Sequence, residues 1–219
     1  MVAARLQARR VAIDSPWPDV RLGLAFIGDP QGVGLTRAKA TARRKHQSAG
    51  ARNLAIELLR GMDIAVEEIP RGAEGGPLWP NGIVGSLSHT DGYAAASLAR
   101  SGDCRGIGID VEPALPLPGE TGELVLGEQE RDWVNSVEVR LPAAGRMIFC
   151  AKECVHKVVH PLTRTWLDFL DVRVVFEPDL IRFSVQPLSD AAIAAFADAR
   201  VRGYCLQVEK HCLSVLRFD

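Results

Sequence analysis

The sequence predicts an α+β fold made of two similar halves, each with one long helix and a small, mostly antiparallel sheet. The order of one long helix followed by short strands occurs twice along the chain. Between the two copies lies PALPLPGETG at 113–122, which is rich in proline and glycine and falls at the midpoint of the 219 residues. We therefore expect an N-terminal half at 1–112 and a C-terminal half at 113–219.

The N-terminal half is predicted from apolar periodicity and turn residues. Leu54 and Leu58 lie at helical spacing, and Gly61 is typical of a residue that follows a helix end. Serine, glycine and aspartate at 101–103 indicate a turn between two strands. The predicted elements are a strand at 20–27, a helix at 36–59, a loop at 70–85 and strands at 93–99 and 106–112.

The C-terminal half is predicted in the same way. Pro142 suits the first turn of a long helix, because its missing N–H is not needed there. Ile148, Ala151 and Val155 form an apolar stripe on that helix. The predicted elements are helices at 123–137 and from 142 to about 160, and strands at 172–176, 181–186, 204–209 and 212–218.

The net charge limits the classes of binding partner that we expect, and the cysteine content indicates the redox compartment. A net charge of −1 provides no overall basic field for nucleic acid or an anionic membrane. The charge is uneven, since seven basic residues and one acid, Glu57, lie between 34 and 60, which indicates a local anion-binding surface.

Five cysteines, an odd number without a CxxC pair, indicate a reduced, cytoplasmic protein. We expect no membrane segment and no secretory signal, because no apolar run approaches roughly 18 residues and the N-terminal stretch lacks an apolar core.

The stretch GIGIDVE at 106–112 carries two carboxylates. On a strand, Asp110 and Glu112 point to the same face as Gly106 and Gly108, while the aliphatic side chains between them point to the core. Two neighbouring carboxylates repel each other unless a proton or a cation lies between them. A solvated strand face is the ordinary alternative. We favour a hard cation such as Mg²⁺, with the glycines leaving room for a phosphate.

The stretch FCAKECVHK at 149–157 places Glu153 and Lys157 four residues apart on one face of the predicted helix. Taken alone, this spacing is typical of a surface ion pair. Combined with Asp110 and Glu112, Glu153 supplies a third carboxylate, and Lys157 supplies a cation for a phosphate.

The same helix carries a pattern that resembles a zinc site. Cys150 and Cys154 are four residues apart, as are His156 and His160. The two pairs lie on different faces of the helix and do not converge on one ion, so we do not expect zinc.

Two further groups are candidates for binding an anion. In GSLSHTDGY at 85–93, Ser86, Ser88 and His89 offer donors to a phosphate, although a single histidine more often has a structural role. Arg52 interrupts the apolar stretch AGARNLAIELL, which indicates that it points into a cleft, whereas a basic helix is more commonly a solvated face.

These stretches, in this order, resemble the motifs of the 4′-phosphopantetheinyl transferase superfamily. They are most similar to the enterobactin-synthetase component D subgroup of its surfactin-type members. GSLSHTDG resembles the first motif, GIGIDVEP the second and FCAKECVHK the third, while RRKHQSAGARNLAIELL is similar to the early basic helix of the subgroup. In the third motif, Phe149 replaces the frequent tryptophan and Cys154 the usual alanine or serine. The resemblance covers 36–157 strongly and the C-terminal strands weakly.

The resemblance implies a pseudo-dimer of two α+β halves with coenzyme A in the cleft between them. It implies transfer of the 4′-phosphopantetheine arm of coenzyme A to a serine of an apo acyl or peptidyl carrier protein, with release of adenosine 3′,5′-bisphosphate. The expected cation is Mg²⁺, with Mn²⁺ as an alternative. The carrier would serve fatty acid, polyketide or nonribosomal peptide synthesis, including siderophores. The protein is expected to be a monomer.

The resemblance also implies roles for individual residues. Asp110, Glu112 and Glu153 would be metal ligands, and Glu153, Lys157 and Asp110 the catalytic set, with Glu153 as the candidate base. The residues implied in coenzyme A binding are His89, Arg44 and Arg52 at the 3′-phosphate, Lys157 at the pyrophosphate, Arg71 beside the nucleotide, and Ser88. Glu130, in GEQERDW, matches a family glutamate and is expected to orient its neighbours.

Two other functions remain open on the sequence. A non-catalytic protein that binds coenzyme A or a carrier would be expected to have a damaged carboxylate set, whereas Asp110, Glu112 and Glu153 are all present. A Mg²⁺-dependent phosphodiesterase or nuclease could use the same carboxylates, but the net charge of −1 argues against nucleic acid.

Overall fold

The computed structural model describes residues 9–28 and 37–219, with the side chains of the first long helix described from residue 41 onward. Thr36, at the predicted start of that helix, lies outside the described residues, as does most of the N-terminal stretch considered for a signal. Within the described part of the chain, no helix is both long and apolar enough to cross a membrane.

The described residues form strands and helices in an order close to the predicted one. The elements are β1 (Arg9–Val11), β2 (Arg21–Phe26), α1 (Arg37–Arg60), β3 (Ile83–Thr90), β4 (Tyr93–Arg100), β5 (Gly106–Pro113), α2 (Gly119–Val125), α3 (Glu128–Val137), α4 (Ala144–Thr163), β6 (Val172–Phe176), β7 (Arg182–Pro187), α5 (Asp190–Ala195), β8 (Val201–Val208) and β9 (His211–Phe218).

The strands form two antiparallel sheets, each covered by one long helix. The first sheet has the order β1-β2-β4-β3, and the second the order β5-β9-β8-β7-β6. Leu54 and Leu59 of α1 pack on the first sheet, and Ile148 and Val155 of α4 pack on the second. The predicted α+β fold of two similar halves is therefore confirmed.

Strand β5 belongs to the second sheet, where Ile109 pairs with Val215 of β9. The boundary between the sheets thus precedes Gly106, while the predicted boundary between the halves follows Glu112. The division of the chain into domains at that point stays a prediction. Because β5 also lies beside β3 of the first sheet, it is the strand at which the two sheets meet.

The two sheets share a core. Leu24 of β2 and Ala95 of β4 pack in one buried cluster with Ile107, Ile109 and Val111 of β5, and β9 contributes to it as well. The three aliphatic residues of GIGIDVE therefore point to the core, as their alternation predicts.

The structure differs from the sequence predictions in three segments whose apolar pattern is weak. β3 begins in the segment predicted as loop at 70–85 and continues over residues for which no element is predicted, because Gly85, Ser86 and Ser88 dilute its apolar pattern. The helix predicted at 123–137 is two helices, separated by the extended backbone of Leu126 and Gly127. The first of these, α2, begins inside the proline- and glycine-rich segment at 113–122 that was expected to separate the two halves.

Candidate active site

Asp110 is the centre of the site, at the point where β5 meets β3 and α4. Its side chain is buried, and its Oδ1 accepts hydrogen bonds from Ser88 Oγ at 2.7 Å and Lys157 Nζ at 2.6 Å. Lys157 Nζ also donates to the carbonyl oxygen of Ile109 at 3.1 Å. Asp110 Oδ2 is buried and has no hydrogen-bond partner. One oxygen of this carboxylate is thus held by two donors while the other is left without one.

The glycines of β5 bring α4 close to Asp110. A Cβ atom on Gly108 would lie 2.3 Å from the carbonyl oxygen of Cys154, and one on Gly106 would lie 2.9 Å from a methyl group of Val158. The expectation that these glycines leave room for a phosphate was wrong for Gly108, because α4 fills the space beside it, whereas Gly106 contacts α4 and also lines the cleft described below. Their effect is to let the helix lie directly on the strand, so that Lys157 reaches Asp110.

Glu112 and Glu153 lie in the electrostatic field of Asp110. Burial, and then the negative charge of Asp110, raise the pKa of Glu112 to about 7. The same two causes, in the same order, raise the pKa of Glu153. Arg146 of α4 partly offsets the charge on Glu112, since its Nη1 lies 3.4 Å from Glu112 Oε2. The three predicted carboxylates therefore form one group of interacting negative charges.

The carboxylates fit a hard cation that takes its remaining ligands from a substrate. Among residues 9–28 and 37–219, no three His, Cys, Asp or Glu side chains lie close enough together, as they stand, to hold a metal ion. Mg²⁺ commonly uses one or two protein carboxylates and completes its shell with water and phosphate oxygens. The unpartnered Asp110 Oδ2, next to a second carboxylate with a raised pKa, is a donor set of this kind.

Lys157 remains charged in spite of its surroundings. Burial is the largest single influence and lowers its pKa, but the charge and hydrogen bond of Asp110, together with smaller contributions from Cys154 and Glu153, outweigh burial, so the pKa of Lys157 is raised. A protonated lysine beside Asp110 balances part of the carboxylate charge and offers donors to an anion.

A cleft of about 700 Å³ extends from this group between α4 and the segment that precedes β3. Glu153 and Lys157 line one part of it. Its walls are largely apolar, with Leu78 and Trp79 from the first half and Trp166 from the second. A cleft of this size, with a lysine in its lining and largely apolar walls, suits a small molecule that has both an anionic and an apolar part.

His89 lies within the electrostatic reach of Asp110 and Lys157, and Arg44 lies near His89. His89 is half-buried on β3, and Arg44 is exposed on α1. Burial, followed by the positive charges of Lys157 and Arg44, lowers the pKa of His89. The structure thus places three of the predicted anion-binding residues near one another.

Arg52 and Arg71 form a separate pair of cations. Arg52 Nε donates to the carbonyl oxygen of Ile69 at 3.0 Å, and its Nη1 donates to Ser48 Oγ at 2.5 Å. Arg71 Nε donates to the carbonyl oxygen of Gly75 at 2.9 Å. Burial and the charge of Arg71 lower the pKa of Arg52. Backbone contacts therefore hold both side chains, while their like charges are close enough to repel.

The sequence did not indicate the role of Lys152, the residue before Glu153. Lys152 is fully buried, and its Nζ donates to Glu130 Oε2 at 2.7 Å and to the carbonyl oxygens of Val125 at 2.8 Å and Phe169 at 2.7 Å. Glu130 also accepts from the backbone N–H of Gly127 and of Val174, both at 2.8 Å. The Lys152–Glu130 pair therefore links α4 to the segments packed around it. In the sequence, the one sign of this role is a lysine inside the apolar stretch of α4.

The cysteines and histidines of α4 lie on different faces. Cys150 and Cys154 donate to the carbonyl oxygens of Asp110 and Ser214 in the sheet below, each at 3.2 Å. His156 and His160 line the cleft instead. All five cysteines are free and buried.

Together the fold and the site define a protein with a buried aspartate, two further carboxylates and several basic side chains next to a cleft that Glu153 and Lys157 line. This arrangement suits a phosphorylated ligand that binds together with a metal cation. Two family models match the chain: "4'-phosphopantetheinyl transferase N-terminal domain" at 33–99 and "4'-phosphopantetheinyl transferase superfamily" at 106–211. The chain belongs to the 4′-phosphopantetheinyl transferase superfamily.

Several curated proteins are similar to this chain. The 4'-phosphopantetheinyl transferase Npt of Nocardia iowensis is 39% identical over 140 residues, which are 64% of this chain and 63% of the relative. The 4'-phosphopantetheinyl transferase Svp of Streptomyces mobaraensis is 35% identical over 173 residues, which are 78% of this chain and 69% of the relative. Enterobactin synthase component D of Salmonella typhi is 30% identical over 121 residues, 54% of this chain and 49% of the relative.

The matches leave part of each relative uncovered, since this chain spans 63% of the Nocardia protein and about half of the Salmonella protein. A solved structure described as a Chronobacterium ammoniagenes ACPS-CoA complex is 14% identical with a TM-score of 0.42, and covers 52% of this chain and 95% of that chain.

Proposed function

We propose that this protein transfers the 4′-phosphopantetheine arm of coenzyme A to a serine of an apo carrier protein. The observation that carries the proposal is the state of Asp110: Lys157 and Ser88 hold one of its oxygens, while the other is buried and unpartnered, and Lys157 itself lines the cleft. Membership of the superfamily and the similarity to curated transferases support the same reaction.

Coenzyme A is proposed to lie with its pyrophosphate at the carboxylate group. His89 and Arg44 are proposed to bind the 3′-phosphate, together with Arg52, and Arg71 is proposed to lie beside the nucleotide. The pantetheine arm is proposed to enter the 700 Å³ cleft that begins at Glu153 and Lys157. The apolar walls of that cleft suit the methylene and dimethyl groups of the arm.

Asp110, Glu112 and Glu153 are proposed to hold Mg²⁺, or Mn²⁺ in its place. When bound, the cation neutralises charge on the pyrophosphate and draws electron density from the phosphorus that is attacked. The oxygen-only donor set and the unpartnered Oδ2 of Asp110 support this choice.

The reaction is proposed to be an in-line displacement at the β-phosphorus of coenzyme A. The serine oxygen of the carrier forms a bond to this phosphorus, and the bond to the bridging oxygen breaks, which releases adenosine 3′,5′-bisphosphate. Lys157 donates hydrogen bonds to the charged oxygens that develop there. Glu153 accepts the serine proton, directly or through a water molecule.

The protein is proposed to act as a monomer in the cytoplasm, where its five free cysteines stay reduced. Its carriers are proposed to be acyl or peptidyl carrier proteins of fatty acid, polyketide or nonribosomal peptide synthesis, siderophore synthesis included.

Intact-mass spectrometry of an apo carrier protein, incubated with this protein, coenzyme A and Mg²⁺, tests the proposal. We expect the carrier to gain one phosphopantetheine with the wild type and to gain none with Asp110→Ala or without a divalent cation. If several carriers gain nothing while coenzyme A still binds, the protein is a non-catalytic coenzyme A binder. Hydrolysis of coenzyme A or of nucleic acid in the absence of a carrier would instead indicate a phosphodiesterase or nuclease.

A further inference from the structure

Ser88 lies at the junction of the two sheets, in contact with β5 at two points. β3 is the edge strand of the first sheet and β5 the edge strand of the second. Ser88 Oγ accepts the backbone N–H of Val111 at 3.3 Å and donates to Asp110 Oδ1 at 2.7 Å. A serine side chain thus bridges two edges that share no backbone ladder.

These contacts leave the Ser88 hydroxyl no proton for a phosphate. A hydroxyl has one O–H to donate and two lone pairs to accept with. The N–H of Val111 occupies a lone pair, and the single O–H is directed to Asp110. The Ser88 side chain is also buried, so its hydroxyl faces β5 and not solvent.

The two donors on Asp110 Oδ1 differ in how firmly they are fixed. Lys157 is long and partly exposed, and its ammonium group is the one proposed to turn to the pyrophosphate. Ser88 is short and held by the backbone N–H of Val111. When Lys157 engages a phosphate oxygen, Ser88 remains as the donor that keeps the Asp110 carboxylate in its orientation.

We propose that Ser88 is a positioning residue: its hydroxyl holds Oδ1 of Asp110 so that Oδ2 is presented to the divalent cation, and it does not bind a phosphate of coenzyme A. The inference rests on the proposed function, because it takes the cation and the pyrophosphate to lie at Asp110. Neighbours that orient a metal ligand typically change metal affinity by about 10- to 100-fold when they are removed.

Ser88→Ala is compared with wild type and with Ser97→Ala as a matched control. Ser97 is a fully buried serine on the neighbouring strand β4, and its hydroxyl has no hydrogen-bond partner. Binding of Mn²⁺ is followed by electron paramagnetic resonance, and the Mg²⁺ concentration for half-maximal transfer is measured in parallel. We expect Ser88→Ala to weaken Mn²⁺ binding and to raise the Mg²⁺ requirement by about 10- to 100-fold, with Ser97→Ala unchanged.

Transfer from 3′-dephospho-coenzyme A separates positioning from phosphate binding. If Ser88 positions Asp110, Ser88→Ala lowers kcat/KM for coenzyme A and for the dephospho form by the same factor. If Ser88 binds the 3′-phosphate, the substitution affects coenzyme A alone, and the inference is overturned. Unchanged Mn²⁺ binding by a folded Ser88→Ala protein also overturns it.

Ser88→Cys provides a second variant should the alanine variant fail to fold. Cysteine is close to serine in size, but its thiol is a weak donor. With the new cysteine kept reduced, we expect Ser88→Cys to lose Mn²⁺ affinity as well, but less than Ser88→Ala does. Wild-type Mn²⁺ affinity in Ser88→Cys would contradict the inference. If the wild-type protein binds Mn²⁺ but transfers no phosphopantetheine, the proposed function is refuted. The effect of Ser88→Ala on Mn²⁺ binding can still be measured in that case.

Discussion

Replacement of Gly108 by alanine tests how the site is assembled. The new Cβ would lie 2.3 Å from the carbonyl oxygen of Cys154, whereas such contacts in proteins are not shorter than 3.0 Å. The backbone of α4 must therefore move away from β5 by about 0.7 Å, because a carbonyl group in a helix cannot rotate aside. Moving α4 also moves Glu153 and Lys157, which it carries.

The shift acts directly on the bond between Lys157 and Asp110. The distance between Lys157 Nζ and Asp110 Oδ1 would increase from 2.6 Å to about 3.3 Å if the full displacement were transmitted. That is longer than a charge-assisted hydrogen bond usually is. A misplacement of about 1 Å in an active site can cost about 100-fold in rate. We expect Gly108→Ala to lower kcat/KM for carrier modification by about 10- to 100-fold, and stability by about 1–3 kcal/mol.

Two other glycines provide a graded comparison. Alanine at Gly106 would meet the methyl groups of Val158 and Leu162 at 2.9 and 3.0 Å, which can rotate away, and alanine at Gly102 would meet nothing within 4 Å. Carrier modification followed by mass spectrometry should therefore decrease in the order Gly102→Ala, Gly106→Ala, Gly108→Ala. If Gly108→Ala retains activity within about twofold of Gly102→Ala, the close approach of α4 does not organise the site, and the reasoning is refuted.

The remaining predictions concern two neighbouring residues of α4. Lys152→Met leaves the buried Glu130 without its cation and should destabilise the protein by about 3–5 kcal/mol in urea unfolding, with the exposed Arg182→Gln as a control that changes little. A smaller loss, below about 1 kcal/mol, would contradict a structural role for the pair. Glu153→Gln should reduce kcat by at least about 100-fold and leave coenzyme A binding without metal unchanged in calorimetry. Near wild-type turnover by this variant would rule out Glu153 as the base.

The strands and helices with a regular apolar pattern were predictable from the sequence. Ile107, Ile109 and Val111 alternate as a strand must when one face meets a core, and they do lie in one. Ile148, Ala151 and Val155 share a helix face and are all buried. β3 was not predictable, because its serine and glycine residues interrupt the alternation of apolar residues. α2 was not predictable, because the proline and glycine residues before it are typical of a loop.

The candidate site was predictable in its members but not in its geometry. Carboxylates at Asp110 and Glu112 and the spacing of Glu153 and Lys157 follow from residue type and position alone. The orientation of Ser88 does not, because it depends on how two sheet edges approach each other in space. The glycines were misread for the same reason: a sequence shows that a side chain is missing, but not which atoms fill the space.

The core shared by the two sheets has a consequence for how the molecule comes apart. Leu24 and Ala95 are covered by residues of β5 and β9, so removal of either half opens this shared cluster, in addition to the separate cluster that each half has under its own long helix. Loss of one sheet exposes the apolar side of the other to water, which couples their unfolding. The internal symmetry of the fold thus coexists with a single cooperative unit, and a ligand that binds at the junction stabilises all of it.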